Sequence, residues 1–403
     1  MNMKRFLSLA ALSLFVFISA FSQEKLEKTT PEGYIFTPVK EIKHTSVKNQ
    51  SSTGTCWIFS GLGFLEAEVI RVGKPEVNLS EMYISKNAYS EKADRYVRLQ
   101  GSNSFGGGGS FWDVIDMIKK YGIVPEEVYS GLNYGEEKHN HGELDAVTKA
   151  YVDAIIKNPN RKLSTAWKKG FDGILDAYLG ANPTTFKYNG KDYTPKSFAE
   201  SLGLNFDDYV CLTSFSHHPF YQKFVLEVPD NWAAKEVYNL PIDELGQIFD
   251  NAIENGYTVA WASDVSDKGF SWKNGVAVVP DVNLTEMNES DKARWTSLSD
   301  KEKETQLYSF EKPIFEKTIT QEMRQVGFDN YQTTDDHGML IVGTAKDQTG
   351  KVFFKVKNSW GTIGSKYDGY FYASKAFILY KTTSIMVNKN SIPKPIAIKL
   401  GIK

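Results

Sequence analysis

Helix-like and strand-like patterns are segregated along this chain, and their order restricts the folds it can adopt. Ile58, Leu62, Leu65, Val69 and Val72 recur at three- and four-residue steps. They predict a helix of about five turns that starts at Cys56 and ends at Gly73-Lys74-Pro75. Leu79-Ser80-Glu81-Met82-Tyr83 opens a second helix with Ser80 as its cap. A third runs from about Phe111 to Lys120, between Gly106 to Gly109 and the Tyr121-Gly122 stop. Strand-like runs come later: Tyr257 to Trp261, Ala277 to Val279, Met339 to Thr344 and Val352 to Val356. Helices first and strands last, without strict alternation, predict an α+β class over a doubly wound sheet.

The divisions follow from these patterns. Residues 1–22 read as a secretory signal: Lys4 and Arg5, an apolar stretch from Phe6 to Phe17, and Ala20-Phe21-Ser22 before Gln23. The stretch is too short for a membrane span, which needs about 20 apolar residues. Residues 23–44 read as an N-terminal extension, 45–130 as a helical lobe holding Cys56, and 131–255 as a mostly helical insertion. Residues 256–390 form a β-rich lobe and 391–403 a C-terminal tail. Export to a periplasmic or extracellular compartment is the expected localisation, with no membrane span once the signal is cleaved. The 47 Lys+Arg against 49 Asp+Glu, with no long block of one sign, argue against nucleic acid or an acidic membrane surface as a partner.

Only two cysteines occur in a chain expected to be exported. Cys56 has chemical meaning at its position, and Cys211, between Val210 and Leu212, reads as a small buried hydrophobe. A thiolate is the reactive form, and a helix N-terminus favours it through unpaired N–H groups and the macrodipole. Such a nucleophile needs a base, and the base needs a group to orient it. His337 precedes one strand and Asn358 ends the next, with Asp347-Gln348-Thr349-Gly350 between. Positions 337 and 358 sum to 695, so a symmetric hairpin about 347.5 places them opposite each other. Cross-strand Cβ atoms are then about 4.5 to 5.5 Å apart, close enough for the amide oxygen to accept from a ring N–H. A bulge at Gly350 would shift this register. Gln50, six residues before Cys56, is the candidate second donor to an oxyanion, beside the Cys56 backbone N–H.

The strings Val47-Lys48-Asn49-Gln50-Ser51-Ser52-Thr53-Gly54-Thr55-Cys56-Trp57-Ile58-Phe59-Ser60, Asp336-His337-Gly338 and Lys357-Asn358-Ser359-Trp360-Gly361 resemble the active-site strings of papain-like cysteine peptidases. The resemblance implies a papain-like cysteine proteinase fold, peptide substrates and no cofactor. It also implies Cys56 as nucleophile, His337 as general base and acid, Asn358 as orienter and Gln50 as oxyanion donor. Trp360 would cover the His337 to Asn358 bond, and Gly108-Gly109 would form a substrate-binding loop that lets a peptide backbone lie close. Thr53 stands where the family has a further cysteine. The step from Cys56 to His337, 337 minus 56 or 281 residues, exceeds the usual separation of about 130–150. A long helical insertion without that disulfide is similar to the bleomycin hydrolase and aminopeptidase C group. Cys56-Trp57-Ile58-Phe59-Ser60, Lys120-Tyr121-Gly122-Ile123-Val124-Pro125 and Asn239-Leu240-Pro241-Ile242-Asp243 carry that likeness. It implies aminopeptidase action and a homo-oligomer, a hexamer in that group. There a C-terminal tail enters the cleft and its carboxylate holds the substrate amine; here ten residues follow Ile392-Pro393, without the usual ending.

Other readings are open. An endopeptidase of the same fold, an inactive peptide-binding protein on this scaffold and a transglutaminase-like acyltransferase are the alternatives; Asn358 in place of Asp, and Gln50 upstream, disfavour the last. His139-Asn140-His141 and His217-His218 lack a spaced carboxylate or a His-Glu-x-x-His pattern, so no metal is assigned and they read as exposed or loop residues. Gly106 to Gly109 lacks the Gly-Lys-Ser/Thr of a phosphate loop.

Overall fold

The computed structural model describes residues 33–403. The expected signal, residues 1–22, lies outside the described residues, as does the extension up to residue 32. The chain begins with β1 (Phe36–Glu41), α1 (Cys56–Arg71), α2 (Glu81–Arg98), α3 (Phe111–Tyr121), α4 (Gly142–Ile156) and α5 (Ala166–Leu179). Then come β2 (Phe186–Tyr188), β3 (Lys191–Tyr193), α6 (Pro195–Ser201), β4 (Tyr209–Thr213), β5 (Lys223–Val225) and β6 (Glu236–Asn239). The second half holds α7 (Ile242–Glu254), β7 (Val259–Ser263), β8 (Phe270–Ser271), β9 (Val276–Ala277), α8 (Glu289–Ser297), α9 (Asp300–Leu307) and α10 (Gln321–Asp329). The chain closes with β10 (His337–Asp347), β11 (Val352–Lys357), β12 (Tyr370–Ser374), α11 (Lys375–Lys381), β13 (Thr382–Asn388) and α12 (Lys394–Lys399).

The first three helices fall where their patterns place them. Ser80 accepts from the Tyr83 N–H at the start of α2, which satisfies an orphan donor. Gly122, at φ +81°, ends α3 in a conformation that side chains resist. The apolar stripe on α1 understates its burial: from Trp57 to Val69 every residue is buried, because β10 lies along one side and α2 and α3 along others. Its two acids are therefore bonded. Glu66 accepts from Lys48 Nζ at 2.8 Å and the Leu79 N–H at 2.9 Å, and Glu68 from Arg71 and Asn388.

Most strands form one sheet, in the order β5-β6-β4-β13-β7-β10-β11-β12-β9-β8. β7 pairs with β10 over His337 to Ile341 and β1 over Gly343 to Asp347, so the two share one edge of the long central strand while β11 takes the other. Both faces are covered. Leu340 and Val342 pack with the α1–α6 helices, whereas Met339 and Ile341 pack with α7, α11 and α12.

Three expectations change. The extension through residue 44 contains β1, whose side chains are almost all exposed; a strand held mainly by backbone pairing shows no apolar alternation to read. The insertion is mostly helical as far as Ser201, with the two-stranded β2-β3 sheet between α5 and α6, but β4, β5 and β6 then enter the main sheet through β13. Runs this short are not distinguishable from buried helix by periodicity. Cys211, expected to be fully buried, is half-buried in β4 and faces a groove beside Trp112 and Met386.

Candidate active site

Cys56 is the first residue of α1, reached through a loop clamped from two sides. Gln50 donates its backbone N–H to Ser359 O at 2.8 Å and accepts from Ser359 Oγ at 2.7 Å on Oε1. Its Nε2 donates to Thr53 O at 2.9 Å, and Gly361 N–H reaches back to Lys48 O at 3.1 Å. The loop before the thiol is thereby tied to the segment after Asn358. Gln50 keeps one amide N–H beyond the bond to Thr53, but it does not line the cavity that holds Cys56.

His337 starts β10, and its Nε2 lies 2.7 Å from Asn358 Oδ1. The contact exists, but the register expected for it does not. Leu340 pairs with Lys357 and Ile341 with Val356, so the paired numbers sum to 697, not 695. A bulge falls between Ile341 and Gly343 and not at Gly350. Continued past the strand end, this register sets Trp360 against His337 and Asn358 two residues along, within diagonal reach of a long side chain. The Trp360 ring stacks on His337 with centroids 4.7 Å apart, and Trp272 and Phe270 pack edge-on against that indole. Gly338 brings β10 against α1: a Cβ there would meet Trp57 Cα at 3.1 Å and Ser60 Oγ at 2.8 Å.

Cys56 and His337 line one cavity together with Gly109, Asp230, Asp335 and Asp336. Burial pushes the Cys56 thiol up to about 12, opposed by backbone bonding from Gly338 and Trp57, so desolvation outweighs the helix-terminus effect anticipated from position alone. Burial likewise takes His337 down to about 4, opposed by its bond to Asn358. Burial thus favours the uncharged form of each group.

Asp230 and Asp335 gave no signal in the sequence. Asp230 lies in the inserted segment, where its neighbours Pro229 and Asn231 mark only a turn, and the fold brings it onto the Gly108-Gly109 loop. A Cβ on Gly108 would collide with its carboxylate, and one on Gly109 with the Trp57 indole. The space expected for a substrate backbone is, at these two positions, filled by protein. Lys92, fully buried on α2, donates to the Gly106 and Gly108 carbonyls and holds the loop from behind. Asp336, next to the imidazole, accepts from the Ser266 N–H at 2.9 Å.

Among the other histidines, His141 sits in a loop yet is buried. His217 and His218 do have a nearby carboxylate: Glu227, ten residues away in sequence, puts three ligand atoms within 4.8 Å of one another. All three side chains sit at the surface, and His217 is already bonded to Glu227 and Gln325.

The chain is similar to known proteins over most of its length. Residues 17–151 and 289–401 match the model of the Peptidase C1-like family. Aminopeptidase C of Streptococcus thermophilus is 25% identical over 87% of this chain and 82% of its own length. Aminopeptidase G of Lactobacillus delbrueckii subsp. lactis is 24% identical over 88% of this chain and 83% of its own. Mitochondrial cysteine proteinase 1 of Saccharomyces cerevisiae is 21% identical over 91% of this chain and 80% of its own length. The crystal structure of PepW from Lactobacillus rhamnosis superposes with a TM-score of 0.67 at 22% identity, covering 91% of this chain and 84% of that one. The fold is papain-like α+β, and the chain belongs to the Peptidase C1-like family as a cysteine-type peptidase.

Proposed function

We propose that this peptidase is an aminopeptidase on small peptides, with Cys56, His337 and Asn358 as its catalytic triad. The observation that carries the reading is the direction of the His337 bond. With the ring proton on Nε2 and facing Asn358 Oδ1, Nδ1 is the lone pair left for the thiol proton. His337 takes that proton as Sγ attacks the carbonyl carbon, and the oxyanion is met by the Cys56 backbone N–H and the remaining Gln50 amide N–H. Collapse breaks the C–N bond, His337 returns the proton to the leaving amine, and a thioester remains. Water activated by His337 then attacks the thioester and frees the acid and the thiol.

The names of the bacterial relatives support aminopeptidase action. The test combines a thiol-directed peptidyl inhibitor with assays of amino-acid release. Labelling of Cys56, stepwise release from the N-terminus, and a folded but inactive Cys56→Ala variant are expected. Labelling without release would favour a peptide-binding protein, and equal cutting of N-blocked peptides an endopeptidase. Residues 1–22 are proposed as an export signal, checked by the N-terminal sequence of the protein recovered from its native compartment; Met1 retained there would reject it.

A further inference from the structure

The cavity beside the thiol carries more carboxylate than the hydrolysis needs. Its walls hold Cys56 and His337 on one side and Asp230, Asp335 and Asp336 on the other. Asp336 is occupied by the backbone N–H groups of Val265 and Ser266. Asp230 faces the Gly109 N–H, and Asp335 accepts from the Thr383 hydroxyl at 3.2 Å. Each carboxylate accepts up to about four bonds, so both retain acceptor capacity toward the cavity. The nearest buried cation, Lys92, points away into the Gly106 and Gly108 carbonyls and does not line the cavity. His337, only 6% exposed, lines the same space, and its Nδ1 has no hydrogen-bond partner among the described residues. The space is thus built for a ligand that is cationic at one end and reactive toward the thiol at the other.

The cavity offers about 20 Å³ to water-sized groups, where one water needs about 10–15 Å³ by the same measure. An ammonium group fits that space. The C-terminal segment supplies nothing here, since α12 carries Ile396 and Leu400 into the core beside α7, and Lys399 pairs with Glu244 on that helix.

We propose that Asp230 and Asp335 form a subsite that holds the protonated α-amine of a peptide's N-terminal residue, in the place that a chain-terminal carboxylate is expected to take in the resembled group. The proposal rests on the reading of Cys56 as the nucleophile of this cavity. Asp230 is the specificity-determining member, because the Gly109 N–H and the absent Cβ of Gly108 fix where its carboxylate lies. Asp335 approaches from the loop that leads into β10 at His337, so the amine is gripped between the inserted segment and that loop.

The test measures binding apart from turnover. In full-length Cys56→Ala protein, calorimetric titration with alaninamide, N-acetylalaninamide and N-acetyllysinamide separates an α-amine, no amine and a side-chain amine. Binding of alaninamide at least tenfold tighter than the other two is expected, with that margin reduced tenfold or more by Asp230→Asn or, separately, by Asp335→Asn. With Cys56 intact, the same substitutions are expected to raise KM for a free-amine fluorogenic substrate at least tenfold more than KM for its N-acetylated form. Equal binding of free and acetylated amides, a margin that survives in both variants, or preference for N-acetyllysinamide would overturn the subsite. Absence of hydrolysis from the intact enzyme together with amine-selective binding would instead reject the peptidase reading and keep the subsite.

Discussion

The Asn358 side-chain oxygen accepts twice, from His337 Nε2 at 2.7 Å and from the Ser359 backbone N–H at 2.8 Å. A backbone N–H is always a donor, so the second bond fixes the amide's orientation and, through it, the imidazole tautomer. In the proposed mechanism the ring becomes imidazolium and the bond charge-assisted, a class worth about 1.5–3 kcal/mol. Asn358→Ala is expected to lower kcat about 10- to 150-fold with KM little changed. Wild-type kcat would show that another group orients the ring.

Gly108 and Asp230 are coupled by the collision that a Cβ would cause. Gly108→Ala is expected to displace the carboxylate and reduce selectivity for free-amine over acetylated substrate at least tenfold. Once Asp230→Ala has removed the carboxylate, the same change should cost little more. A double-mutant cycle is expected to give a coupling of about 0.5–3 kcal/mol; additive losses would count against the contact.

Gly338 is closed in by the backbone of Trp57 and by Ser60 Oγ, and that hydroxyl is bonded to Cys56 O at 2.7 Å. Neither neighbour is the free end of a flexible chain. Gly338→Ala is expected to cost about 1–3 kcal/mol in urea unfolding, as overpacking does, and to remove activity by moving His337 from the thiol.

His141 is 1% exposed, and neither ring nitrogen has a partner among the described residues. Burial takes its pKa down to about 4. Between about 6.5 and 4 the unfolded chain binds the proton and the folded one does not, so stability falls as pH falls through that window. The contribution approaches about 3 kcal/mol. Asp113 and Asp335, raised by burial to about 7, act in the opposite sense as pH rises, so the diagnostic quantity is a difference. His141→Gln is expected to lose less stability than the parent between pH 6.5 and 4.5 in thermal melts. Equal slopes would dismiss the assignment.

The sequence reading reached the helices and the contact between His337 and Asn358 through local signals. Ser80, Gly122 and the apolar steps of α1 act within a few residues of themselves. It misjudged the path to that contact, because the extra residue at Val342 answers to the packing of β10 between three neighbours and leaves no mark in composition. Asp230 and Lys92 were illegible for a related reason. Each acts on Gly108 from a distant stretch of chain, and nothing beside either one in sequence states what it will face.

The pairing of β1 with β10 spans 347 minus 36, or 311 positions, between Phe36 and Asp347. At a synthesis rate of about 5–20 residues per second, the first strand waits roughly 15 to 60 seconds for its partner to be made. Cys56 emerges soon after it, and 281 further residues, 337 minus 56, are made before the imidazole that shares its cavity. A nascent chain therefore carries the thiol well before that cavity can close around it. The same delay leaves the early strand unpaired while its partner is synthesised.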